Sequence, residues 1–216
     1  YFETGQNDKA AVQYEYAVAL TPKDMNRLTN LGVAYMMLGN FESARTSFQQ
    51  AIDIEPTKTA HSMLGMMHYY LGDYDAAIDN HVSAVALKPG DALAHANLGD
   101  ALWVSGNEDD ARIAYRKAEA LVEAAMNVNP NDPFSMMDLA WLRAQLGRPG
   151  DARSLIDKAA KLAPDDPYAD YYDGLIHLQS GNTDAALNAF ETASNKCYPL
   201  HLLQAAPLLQ QIRLDP

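Results

Sequence analysis

Apolar residues along this chain recur at spacings of three and four. Ala44, Phe48, Ala51 and Ile52 form one such stripe, and Ala111, Ala114, Tyr115 and Ala118 form another. This spacing gives a helix one buried face. Each proline-bounded stretch reads as helix, turn, helix, and none reads as a strand. The pattern also repeats. LGVAYMMLGNFESARTSFQQAIDIEP at residues 31–56 returns as LGMMHYYLGDYDAAIDNHVSAVALKP at residues 64–89.

Five copies align on Leu31-Gly32, Leu64-Gly65, Leu98-Gly99, Leu139-Ala140 and Asp173-Gly174, with steps of 33, 34, 41 and 34 residues. Each copy then has a second glycine (Gly39, Gly72, Gly106, Gly147, Gly181), an alanine (Ala44, Ala77, Ala111, Ala152, Ala186), a mostly bulky residue (Phe48, His81, Tyr115, Ile156, Phe190) and a closing proline (Pro56, Pro89, Pro130, Pro164, Pro199). A period near 34 with two helices per unit marks a stacked helical repeat. The first glycine and the alanine let the paired helices approach. The second glycine stands where helix A ends and the chain must turn. Proline follows helix B because it cannot extend a helix. A single unit cannot bury its apolar face, whereas a stack can.

These landmarks resemble the tetratricopeptide repeat family, and the resemblance spans essentially the whole chain. It implies an all-α fold, an α-α superhelix of tandem repeats with a right-handed course. Full units are expected at about 24–56, 57–90, 91–130, 131–164 and 165–199. Residues 1–23, with Tyr1, Gly5, Ala10, Tyr14, Ala17 and Pro22 in register, fit the second half of a further unit whose helix A is mostly missing. Residues 200–216 read as a capping tail broken at Pro207.

The third unit is stretched by seven residues, which predicts one long helix B over about 107–127. Seven residues are nearly two turns, a phase drift of about 20°. The apolar face is therefore expected to continue through Leu121, Val122 and Ala125. The segment AHANLGDALWVSGNEDDARIAYRKAEALVEAAMNVNPND and the Cys197-Tyr198-Pro199 tail are similar to the C-terminal repeat segments of bacterial multidomain signalling proteins: Ser/Thr kinases, adenylate cyclases and winged-helix regulators. That resemblance implies a regulatory module, cytoplasmic, or periplasmic where the parent is membrane-anchored.

Composition narrows the partners. A net charge of −12 and a pI near 4.7 repel phosphate backbones, which argues against nucleic acid. No run approaches the roughly 18 apolar residues of a membrane span. The single cysteine, Cys197, rules out an internal disulfide and reads as inert packing.

In the family that this chain resembles, helix A lines the concave surface. The positions expected to bind a partner are Asn30, Met37, Met66, Tyr69, Tyr70, Asn97, Asp100, Trp103, Phe134, Asp138, Trp141, Tyr168 and Tyr171. Methionine and aromatic side chains make adaptable, high-area contacts, although part of this lining is expected to pack as core. The chaperone-binding members of the family use a Lys/Asn clamp for a terminal carboxylate. Asn30 and Asn97 match its polar part, but the lining has no lysine or arginine. The expected partner is therefore a protein or peptide segment, neutral to basic and apolar. A second copy of the chain, joined through the opening helix, is the alternative. His61, His68, His81 and His95 raise a metal-dependent enzyme as a further alternative. All four, however, replace aromatic or aliphatic packing residues, and no His-x-x-x-His spacing occurs. Asp173 and His177, four apart, are expected to form a local hydrogen-bonded pair rather than a catalytic dyad. No cofactor is expected.

Overall fold

A computed structural model describes residues 7–209. Among them lie twelve α-helices: α1 Asn7–Leu20, α2 Met25–Met37, α3 Phe41–Ile54, α4 Lys58–Leu71, α5 Tyr74–Leu87, α6 Ala92–Val104, α7 Glu108–Val128, α8 Pro133–Gln145, α9 Pro149–Leu162, α10 Pro167–Gln179, α11 Thr183–Asn195 and α12 Leu200–Ala205. A 3-10 turn, Pro207–Leu209, follows, and no strand occurs among the described residues. The fold is the all-α tandem-repeat fold. Tyr1, Gly5 and tail residues 210–216, which entered the sequence reading, lie outside the described residues.

Local chemistry sets the helix boundaries. Asp24, Thr57, Asp91, Asp132 and Asp166 cap the starts of α2, α4, α6, α8 and α10, each side chain accepting from a backbone N–H two or three residues on. Part of the chain's acidity is thus used at helix N-termini, where it also complements the helix dipole. The five second glycines all adopt left-handed φ, between 74° and 86°, and end the first helix of each pair.

The first glycines serve a different need. A Cβ on Gly32 would lie 2.6 Å from the Phe48 ring, and one on Gly65 2.7 Å from the His81 ring. Gly99 faces Tyr115 and Gly174 faces Phe190 in the same way. The fourth pair has an alanine, Ala140, and its counterpart is the ringless Ile156. Small and large residues trade volume within each pair of helices.

The chain forms two compact units. One is built on α1 to α5 with Asp100–Gly106, the other on Gly90–Gly99 and α7 to the 3-10 turn. In the first, Ala10, Ala11 and Ala34 form a core with Tyr14 and Tyr35 against them. A second core there joins Leu28, Ala51 and Ala60 with Val18, Met25 and Ile52. In the second, α8 packs on α7 and α9, and α10 on α8, α9 and α11.

Helix α7 has 21 residues against 14 in α3, α5 and α9. Its buried face runs through Ala111, Ala114, Tyr115, Ala118 and Val122. The expected continuation fails at its end: Leu121 is half-buried and Ala125 exposed. The last turns of α7, beyond the 14-residue length of α3, α5 and α9, bury little apolar surface. Polar contacts anchor them instead. Arg143, at the end of α8, reaches Glu119 (3.5 Å) and Glu123 (3.1 Å), and Arg148, at the start of α9, also pairs with Glu119.

The other end departs from the sequence reading too. Cys197 is exposed, not packed, and takes φ 69° just past α11. Its N–H donates to the Ser194 carbonyl (3.0 Å) and that of Tyr198 to Ala193 (2.9 Å), the two bonds of a Schellman turn. The turn folds Tyr198 back so that its ring stacks on Tyr171, with centroids 4.5 Å apart and planes at 12°.

Candidate functional site

In the first unit, Asn30 is exposed, and Met37, Met66, Tyr69, Tyr70, Asp100 and Trp103 are half-buried. Tyr70 stacks on Phe41 (5.2 Å, 13°) and meets Tyr69 edge-on (5.7 Å), and Tyr69 approaches Tyr74 (6.2 Å). These rings join the end of α4 to the starts of α3 and α5. Burial pushes the Tyr69 hydroxyl well above its ordinary value, and the Asp100 charge adds to this. Tyr69 therefore remains a neutral hydrogen-bond donor beside a carboxylate. The result is an aromatic patch with one acidic group.

In the second unit, Asn97 and Asp138 are half-buried, while Phe134 and Tyr168 are 55 % and 44 % exposed. Asp138 is hydrogen-bonded by the Tyr172 side chain. Burial pushes its carboxyl up to about 6; the Tyr172 hydrogen bond opposes this and Asp132 adds to it. Trp141 is only 5 % exposed and tilts against Tyr172 at 6.5 Å. The indole is buried inside the unit, on a helix that packs against α7, α9 and α10. Tyr171 keeps some exposure, but the chain's own Tyr198 covers one face of its ring. Tyr172, an inward helix A position by sequence, and Tyr198 join these residues without having been among the expected partner-binding positions. The one-repeat spacing of Asp138 and Tyr172 could have revealed the first; the second depends on the Cys197 turn.

The histidines have separate local roles. His61 Nδ1 lies 3.1 Å from the Asn80 side-chain oxygen, and His68 Nδ1 3.2 Å from Asp73. His81 fills the ring position under Gly65, is 2 % exposed, and its Nδ1 has no hydrogen-bond partner among the described residues. Burial lowers its pKa to about 4, so it is neutral near pH 7. His95 is half-buried on α6. Among the described residues, no group of three or more His, Cys, Asp or Glu side chains is placed to hold a metal ion. His177 is closer to Arg153 (2.9 Å) than to Asp173 (3.6 Å), so the expected hydrogen-bonded pair is an ion-pair neighbourhood shared with α9. No helix among the described residues is long and apolar enough to cross a membrane.

Similarity to known proteins agrees with this architecture. The tetratricopeptide repeat family matches residues 62–126 and 137–199, a second description of the same repeat matches 26–58, and a TPR repeat matches 1–39. The mouse BBSome complex member BBS4 is 33 % identical over 88 residues, 41 % of this chain and 17 % of that protein. The human protein O-mannosyl-transferase TMTC1 is 26 % identical over 166 residues, 76 % of this chain and 18 % of that protein. The chain thus spans under a fifth of the length of either relative. Among solved structures, a tetratricopeptide repeat protein from Parabacteroides merdae superposes with a TM-score of 0.65 at 20 % identity, covering 96 % of this chain and 79 % of that one. The APC/C hetero-tetramer Cut9–Hcn1 gives 0.65 at 18 % identity over 98 % and 40 %. With the paired helices, the glycine turns and these matches together, the chain belongs to the tetratricopeptide repeat family, whose members generally mediate protein–protein interaction and are typically non-catalytic scaffolds.

Proposed function

We propose that this chain is a non-catalytic interaction module that captures an extended or helical segment of a partner protein on the helix A faces of its units. The carrying observation is the composition of those faces: half-buried and exposed Met, Tyr, Trp and Phe side chains, with Asp100 and Asp138 as their charged groups. Aromatic and methionine surfaces supply large contact area at low entropic cost. The acidic groups favour a neutral to basic, apolar segment. Asn30 and Asn97 add amide groups able to bond a peptide backbone. A related protein, BBS4, is itself a member of a complex.

The likeness of the long helix and the tail to bacterial signalling proteins supports a regulatory place beside an effector. An effector domain encoded in the same full-length gene is the expected finding. The test of capture is affinity purification of partners with the wild-type chain, Tyr70→Ala, Trp103→Ala and the remote Arg112→Ala, each checked for helical content. Folded Tyr70 and Trp103 variants that retain every partner would exclude the groove reading.

A second reading, self-association, is favoured by Val12, Tyr16 and Leu20, which leave an exposed apolar stripe along α1. Sedimentation of the wild type and of Tyr16→Glu separates it: a dimer lost in the variant supports it, and a monomer in both excludes it.

A further inference from the structure

We propose that Asp138 is the residue of the second unit that selects partner charge, its carboxylate receiving a lysine or arginine side chain whose flanking apolar residues lie on Phe134 and Tyr168. This inference rests on the peptide-capture reading and names the chemistry of one position in it.

The argument is one of charge pairing. Helices α8 and α10 carry one Lys or Arg between them, Arg143. That guanidinium is turned to Glu119 and Glu123 of α7. Arg148 is likewise engaged by Glu119. Asp170 holds Lys196 at 2.6 Å, and Arg153 is drawn to His177. Of the three acids within α8 and α10, Asp170 and Asp173 have a cationic neighbour, and Asp138 has none among the described residues. Asp138 has Tyr172 of α10, a neutral donor, and Asp132, a like charge at its own helix cap. A desolvated carboxylate with no counter-ion is an unfavourable arrangement in the empty unit. An incoming ammonium or guanidinium relieves it, and a carboxylate-bearing ligand worsens it.

The position has a register as well. Directly before the landmark pair the five units carry Asn30, Met63, Asn97, Asp138 and Tyr172, so an acid stands here where two other units have an amide. Exposed Phe134, one turn before Asp138 on α8, and exposed Tyr168, one turn before Tyr172 on α10, supply the apolar footing. Burial raises the carboxyl, so cation capture should strengthen as pH rises through about 6 and fade below it. Tyr172 and Asp132 are the titratable groups acting on it. Glu119 and Glu123 of α7, and Arg148 and Arg153 at and in α9, are held in the pairs just described.

The experiment is selection of a random linear-peptide display library against the wild type, Asp138→Asn and Asp138→Lys, with circular-dichroism melts confirming that all three fold. Expected are wild-type peptides with a lysine or arginine at one fixed place among apolar residues. That preference should vanish with Asp138→Asn and turn acidic with Asp138→Lys. A selected basic peptide should bind the Asn variant about tenfold or more weakly, and should lose affinity to wild type between about pH 7.5 and about pH 5. Enriched peptides without a basic position, or an unchanged preference in Asp138→Asn, overturn the assignment and leave peptide capture standing. No enrichment by a folded wild type overturns both. Self-association that depends on Asp138 without any peptide assigns the site to a second copy and overturns the partner reading.

Discussion

Gln179 donates a 3.0 Å hydrogen bond to the side-chain oxygen of Gln145, 34 residues earlier, so the repeat period is itself a contact distance. The two residues end successive A helices at the same place in their units. Gln145 is among the few buried polar residues. Replacing Gln179 with Leu leaves that oxygen without its partner, a loss of about 1–3 kcal/mol. The expected result is a melting midpoint lower by about 2–4 °C per kcal/mol lost. Replacing both glutamines with Leu should recover part of it, and a double-mutant cycle without coupling would contradict this account.

The volume exchange under the first glycines predicts a paired rescue. Gly32→Ala forces a methyl against the Phe48 ring and should cost about 1–3 kcal/mol. Adding Phe48→Ile imports the arrangement that Ala140 and Ile156 already use. Denaturant melts should show the double variant to be more stable than Gly32→Ala alone. If Phe48→Ile instead adds its own full loss, the two positions do not trade volume.

His81 predicts an acid sensitivity. Its folded pKa, about 4, lies below its ordinary 6.5, so the folded state binds the proton less well than the unfolded chain. Its contribution is fully present above 6.5 and is lost as pH falls from there through 4, to a limit of about 3 kcal/mol. His81→Phe restores the ring found at Phe48 and Phe190 and removes this titration. Melting midpoints against pH should converge or cross near neutrality and diverge below about pH 6. Parallel curves would locate the acid sensitivity elsewhere.

The two tryptophans should behave differently. Trp141→Ala opens a cavity in the second unit and should cost about 3–5 kcal/mol. Trp103, half-buried, should lose less stability on truncation and more partner capture. Arg112, held by exposed pairs to Glu108 (2.9 Å) and Asp109 (3.3 Å), should change stability by about 0–1 kcal/mol. Melts and capture measured together decide it; equal destabilisation by both tryptophan changes would place Trp103 in the core as well.

Shortening α7 tests its register. Deleting residues 119–125 restores the length of α3, α5 and α9 and keeps the apolar phase within about 20°. Deleting residues 119–122 turns everything after it by about 40°. Both deletions remove Glu119 and so its pairs to Arg143 and Arg148; with Glu123→Gln added to the shorter one, which removes the remaining Arg143 pair there too, the difference between their melting midpoints isolates phase. The longer deletion should melt at the higher temperature.

The sequence by itself determined the helix pairs, their ends and the small-against-large packing within each pair. Those features are local or lie about sixteen residues apart, and they follow from glycine's φ range, proline's missing N–H and the periodicity of the apolar face. It also made the lengthened α7 legible, because a seven-residue insertion nearly conserves helical phase. Which inward residues stay open was decided by tertiary structure. Trp141 and Asp138 sit three residues apart on one helix, yet Trp141 is buried and Asp138 only half-buried. The left-handed turn at Cys197 carries Tyr198 onto Tyr171, and Glu119 collects Arg143 and Arg148 from two other helices. These contacts join side chains whose separation in sequence carries no periodic signal, and their directions depend on how neighbouring helices cross. Burial and charge pairing are properties of that crossing, so the character of the candidate site emerged only once the helices were packed.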